Sequence, residues 1–178
     1  MSTVPNEVPK SVSNYFRMAE PGSYTVRIVS DAITGYIGWT ADKKPVRSKT
    51  SSGVTDRTDM ATDSDPKAFW TFSIYNYGDK VTQVWEITQK SIMRQLKALA
   101  DNPKWGDPKK YDLTITRVGT SMNDTEYSVQ PNPKEKFEEV TRPVNLEALY
   151  SGGDPFAPTD KEIGEKVYET PNPEDIPF

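Results

Sequence analysis

The chain has 178 residues, 34% hydrophobic and 11% aromatic, with no cysteine and no histidine. Those two absences exclude disulfides, thiolate chemistry, Cys/His zinc sites and imidazole acid–base catalysis. The net charge of −4 is uneven: residues 141–178 hold eight acidic and three basic side chains, a net of −5, which leaves residues 1–140 at +1. A near-neutral body with an acidic tail fits a nucleic-acid-binding domain carrying a separate interaction segment. No run is long enough to span a membrane, and Met1–Lys10 is too polar for a signal peptide, so a cytosolic protein is expected.

Residues 1–20 are polar and read as a flexible arm, with Tyr15 and Phe16 as an anchor. Period-two alternation of Tyr24, Val26 and Ile28 predicts a first strand over residues 22–33. Residues 34–67, rich in Ser, Thr, Asp, Lys and Gly, read as a long loop. Strands two and three are expected at 68–77 and 80–88, joined in a hairpin by Gly78-Asp79. Ile92, Met93, Leu96 and Leu99 form one apolar stripe, predicting a helix over 91–100 that Asn102-Pro103 stops. A fourth strand follows at 111–118 and a fifth at 126–130, ended by Pro131 and Pro133. A short helix at 145–150 would pack Leu146 and Leu149 back on the body, and Ser151-Gly152-Gly153 opens the linker.

The expected class is therefore all-β with one helix. Five strands with the helix between the third and fourth match the order of a five-stranded OB-fold barrel. Residues 21–140 would form this domain, and 141–178 a linker and disordered acidic tail.

The densest aromatic run, Phe69 to Tyr77, splits by alternation into two faces. Trp70, Phe72 and Ile74 are expected inside. Phe69, Tyr75 and Tyr77 share the other face with the small polar Thr71 and Ser73. That face suits either stacked bases or cross-strand ring pairs. Trp85 shares a face with Val81 and Ile87, which favours core. The loop after strand one offers Tyr36 and Trp39, then Lys43, Lys44, Arg47 and Lys49, with Gly35 and Gly38 letting the backbone approach a ligand. Rings interleaved with cations fit backbone-tracking, sequence-tolerant binding. Asp56, Asp59, Asp63 and Asp65 lack the glycine and distal glutamate of a calcium loop. No nucleophile–base pair or phosphate-binding glycine loop stands out, so no enzyme, cofactor or metal is expected.

Three stretches carry a resemblance: Tyr75-Asn76-Tyr77-Gly78-Asp79-Lys80, Trp85-Glu86-Ile87-Thr88-Gln89-Lys90-Ser91-Ile92 and Asn102-Pro103-Lys104-Trp105-Gly106-Asp107-Pro108. So do residues 111–117 and 125–129. Together they are similar to bacteriophage single-stranded DNA-binding proteins with one OB fold, distant relatives of the T-even phage helix-destabilising protein. The chain departs from the T-even pattern in lacking any zinc ligand. The final Asp175-Ile176-Pro177-Phe178 resembles the tail tip of bacterial single-stranded DNA-binding proteins. The resemblance implies roles in phage replication, recombination and repair in the host bacterial cytoplasm. Partner replication proteins of phage or host would be recruited through the tail.

The expected function is sequence-independent single-stranded DNA binding. Tyr36, Trp39, Phe69, Tyr75 and Tyr77 would stack bases, and Lys43, Lys44, Arg47 and Lys49 would hold phosphates. Asp175, Ile176, Pro177 and Phe178 would dock a partner, and the acidic tail would compete for the groove. Two rivals from other classes are a protein-interaction adaptor and a carbohydrate-binding module. The sequence does not specify oligomeric state.

Overall fold

The computed structural model describes residues 11–158, together with Thr3. Seven strands form one antiparallel sheet: β1 (Gly22–Ile28), β2 (Ile33–Trp39), β3 (Pro45–Ser48), β4 (Lys67–Asn76), β5 (Val81–Ile87), β6 (Tyr111–Val118) and β7 (Glu126–Lys134). A one-turn helix α1 (Ser52–Thr55) follows β3, and helix α2 (Lys90–Asp101) lies between β5 and β6. Short 3₁₀ turns occupy Pro108–Lys110 and Leu146–Ser151. No helix among the described residues is long and apolar enough to cross a membrane.

The sheet order is β3-β2-β4-β1-β6-β7, with β5 on the other edge of β4. β1 pairs with the C-terminal half of β4, and β2 with its N-terminal half. They are two halves of one bent strand. The ladder continues through the bend, because Val29 N donates to Ser73 O and Ser73 N to the Ser30 hydroxyl, at 3.0 and 2.8 Å.

Seven strands replace the expected five. The stretch read as a loop over 34–67 contains β2, β3 and α1. The fifth expected strand runs on through both prolines as β7. This edge strand tolerates them because a proline there forfeits no ladder bond on its free side.

The sheet is not closed into a barrel. Helix α2 sits at the gap instead. The Gln95 side-chain amide donates to Tyr127 O at 2.9 Å and accepts from Val129 N at 2.8 Å, capping the free edge of β7 at these two groups. The free edge of β5 takes the N-terminal arm: Val84 N donates to Asn14 O and Phe16 N to Val84 O. Unpaired edges invite association, and the chain caps the β5 and β7 edges at these points; β3 is the third edge strand.

The main core forms where the expected inward residues meet. Ile74, Trp85, Ile87, Leu113 and Ile115 are buried together with Ile92 and Leu96 of α2, and Trp70 and Phe72 pack against them. Phe16 closes one end, edge-on to Tyr24 and Trp85 with ring centres 5.8 and 5.7 Å away. A smaller cluster of Val84, Leu146 and Leu149 lies on the opposite face of the sheet. It belongs to a strap, residues 135–156, that runs back across the hairpin. Asn145 N donates to Pro155 O at 2.7 Å, and Arg142 stacks over Phe156 at 4.5 Å, so the body extends to Phe156 rather than giving way to linker at 141.

Arg27 locks the strap's beginning to the sheet. Its side chain is 3% exposed and pairs with Asp112 at 2.7 Å. It also donates to the carbonyls of Lys109 and Glu135, at 3.1 and 2.7 Å.

Candidate nucleic-acid interface

Five rings were expected on the binding face, and the strap removes two. Phe69 is fully buried, its ring 6.3 Å from that of Tyr150, whose hydroxyl donates to Thr34 O. Tyr75 is 5% exposed and packs edge-on against Phe137 of the strap. Both are therefore packing residues and not base platforms. Alternation assigned them correctly to one face of β4, but the polar strap covers that face. Phe69→Ala is expected to cost ~3–5 kcal/mol of stability, the range for truncating a buried aromatic, which urea unfolding would measure.

Tyr77 is half-buried, its hydroxyl donating to Asp112 at 2.8 Å beside Arg27. Burial, and then the hydrogen bond to Asp112, raise its phenol well above the ordinary 10.0. The folded protein keeps this proton where the unfolded chain releases it. The stabilisation is complete below about pH 10 and is lost as pH rises beyond it. Tyr77→Phe is expected to flatten the fall in Tm between about pH 9 and about pH 11; an unchanged fall would contradict this assignment.

The expected cations also separate. Arg47 makes two bonds to Glu86 Oε2, at 2.7 and 3.0 Å, with both side chains largely buried, so its charge is already matched. Lys49 lies 5.2 Å over the Tyr150 ring and 3.8 Å from Glu147, an exposed and weak pairing. Lys43 and Lys44 are exposed on the tight β2–β3 turn, where Thr40 N donates to Lys44 O and Lys43 takes a left-handed φ of 63°. Gly35 and Gly38 serve the protein's own packing rather than a ligand. A Cβ on Gly35 would fall 2.3 Å from Ser48 O, and one on Gly38 2.6 Å from a Val54 methyl carbon.

Two grooves border the β2–β4 ribbon. The first, about 960 Å³, is lined by Tyr36, Tyr127, Lys67, Lys90, Arg117 and Met122 among others, and no carboxylate is among its lining residues. Arg117 is held in position by the carbonyls of Met18 and Ala19, each accepting from Nη1 at 2.7 Å, and its Nε is buried without a partner. Met122 is 98% exposed at the rim. The β6–β7 turn that carries it is stiffened by Asp124, which accepts from Ser121 N and Oγ at 2.7 Å; these bonds hold the carboxyl below its ordinary range.

The second groove, about 790 Å³, is lined by Trp39, Arg17, Lys44, Lys67 and the Arg47–Glu86 pair, with Leu149 of the strap at its floor. Trp39 is 49% exposed, yet its backbone is fixed: its N donates to Ser64 Oγ at 2.7 Å and its O accepts from Ala61 N at 3.0 Å.

Of the nine residues expected to bind DNA, Tyr36 lines the first groove, while Trp39, Lys44 and Arg47 line the second. Lys67, Lys90, Arg117, Tyr127 and Met122, which the sequence does not single out, also line the first groove. They come from β4, α2, β6, the β6–β7 turn and β7, and form no local motif. Asp175, Ile176, Pro177 and Phe178 lie outside the described residues. Compared with family models, with curated proteins and with solved structures, the chain matches none.

Proposed function

We propose that the protein binds single-stranded DNA without sequence preference, through the first groove. The carrying observation is charge: in a chain of net −4, the first groove gathers three cations and two tyrosines and lines itself with no acid. Cations lining the groove supply the non-specific affinity, and rings accept any base because every base has a π-face. Met122 adds an apolar tip able to lie against an unstacked base.

The strand order also supports an OB-like reading. The bent strand β1–β2 pairs with β4 and, through β1, with β6, and helix α2 lies between β5 and β6, the order of that fold once β3 and α1 are taken as an insertion. The sequence resemblance extends the proposal to phage replication, recombination and repair in the host bacterial cytoplasm. On this reading no catalysis is involved. The acidic segment ending Asp175-Ile176-Pro177-Phe178 recruits replication or recombination proteins, Ile176 and Phe178 filling an apolar pocket and the carboxylates meeting a basic rim. Phe178→Ala is expected to abolish capture of such partners and leave DNA affinity unchanged; equal capture by both chains would rule out the docking role.

The test of the groove compares wild type with Tyr36→Ala by fluorescence anisotropy of a labelled dT oligomer. Loss of one stacking ring is expected to weaken binding by roughly 5- to 150-fold, from ~1–3 kcal/mol per stacked base. The reading fails if wild type leaves the anisotropy unchanged, or if Tyr36→Ala binds as wild type does.

A further inference from the structure

The two grooves are parts of one feature. Alternation along β2 sends Tyr36 to one face of the ribbon and Ile37 and Trp39 to the other. The pairing register extends this: Tyr36 sits opposite Ala68, which lines the first groove, and Ile37 sits opposite Lys67. On the second face Ile37 pairs Arg47 and Trp39 pairs Pro45, all lining the second groove. The grooves thus occupy opposite faces, yet Lys67 and Thr88 line both. Lys67 opens β4, and Thr88 follows the last residue of β5, so together they form the rim at this end of the sheet. Around that rim the charge keeps one sign. The first groove has no lining acid, and Glu86, the single acid lining the second, is neutralised by Arg47 at 2.7 Å.

Resting on the DNA-binding reading above, we infer that a single strand follows one continuous track, from the first groove over Lys67 and Thr88 into the second. Tyr36 stacks a base on the near side and Trp39 a base on the far side. About three residues of extended strand separate the two rings, or ~10 Å at 3.3–3.4 Å per residue. A short oligomer fills the first groove alone. A longer one turns the rim and reaches Trp39, and both lengths fall within the ~4–16 nucleotides that one such module occupies. Trp39 is pre-set for this contact, half exposed on a backbone tied to Ser64 and Ala61.

The experiment titrates the full chain with labelled dT oligomers of graded length, from about 4 to about 16 nucleotides. Wild type, Tyr36→Ala, Trp39→Ala and Lys44→Glu are compared, with circular dichroism confirming that each is folded. Tyr36→Ala is expected to weaken binding at every length. Trp39→Ala and Lys44→Glu are expected to leave the shortest oligomers unaffected and to weaken the longest by roughly 5- to 150-fold. In wild type, tryptophan emission should be quenched only by the longer oligomers, and that quench should vanish in Trp39→Ala. The track is overturned if the second-groove variants bind every length as wild type does, or are weakened equally at all lengths. Failure of wild type to bind any oligomer would remove the functional reading itself and the track with it.

Discussion

Replacing Arg27 by methionine is expected to destabilise the protein by about 3–5 kcal/mol, the cost of breaking a buried ion pair from one side. The side chain is 3% exposed, and Asp112, its partner at 2.7 Å, is 16% exposed. Methionine fills much of the volume but donates nothing. Asp112 would keep the Tyr77 hydroxyl as a partner, while the carbonyls of Lys109 and Glu135 would lose their donor. Each polar group left unsatisfied in the interior adds about 1–3 kcal/mol. The loss is a large part of the ~5–15 kcal/mol that holds a domain of this size together. Because Glu135 begins the strap, its release also loosens the cover over Phe69 and Tyr75. Urea unfolding of the two proteins measures this. A loss below about 1 kcal/mol would mean that the pair is not buried in solution as described.

The second large effect concerns binding. Lys67→Glu combined with Lys90→Glu is expected to weaken single-stranded DNA binding about 100-fold or more at low salt. Two charge-assisted phosphate contacts are lost, and each is replaced by a repulsion. Both lysines are exposed and, among the described residues, neither makes an ion pair, so folding stability should scarcely change. The salt dependence supplies the sharper readout. For single strands each contact contributes ~0.7 to the slope of log affinity on log salt, so the slope should fall by about 1.4. An unchanged slope would place the phosphates elsewhere. Lys43 and Lys49, outside both grooves, serve as controls expected to give smaller changes.

Much of this architecture is legible in the sequence where one periodicity dominates. The strand over Tyr111–Val118 has the expected bounds, and α2 exceeds the expected helix over 91–100 by one residue at each end. The hairpin of β4 and β5 follows from alternation and Gly78-Asp79. β2 escapes because Ile33-Thr34-Gly35-Tyr36-Ile37-Gly38-Trp39 carries two glycines, which read as loop. Their reason is tertiary: Ser48 and Val54 crowd those two positions. β3 escapes because it is four residues long and begins with Pro45.

The candidate site is less legible for a related cause. Alternation divides Phe69 to Tyr77 into its two faces correctly, but says nothing of what covers each. The strap that buries Phe69 and Tyr75 is polar, with anchors spread over Phe137, Leu146, Leu149 and Tyr150. In the same way Lys67 stands beside an Asp-rich loop, Lys90 at a helix start and Arg117 near a strand end. Only the folded chain brings them to one groove.

If the grooves hold single strands through phosphate charge and open bases, single strand and duplex must differ in both affinity and salt dependence. Titration of the 178-residue chain with a labelled dT oligomer, and with a duplex of equal length, at two salt concentrations decides this. Binding to the single strand is expected to be the tighter. The slope of log affinity on log salt is expected to be about −2 to −3.5, for three to five phosphate contacts at ~0.7 each. Equal affinity for single strand and duplex, or no salt-dependent binding to either, would rule out groove binding of single strands.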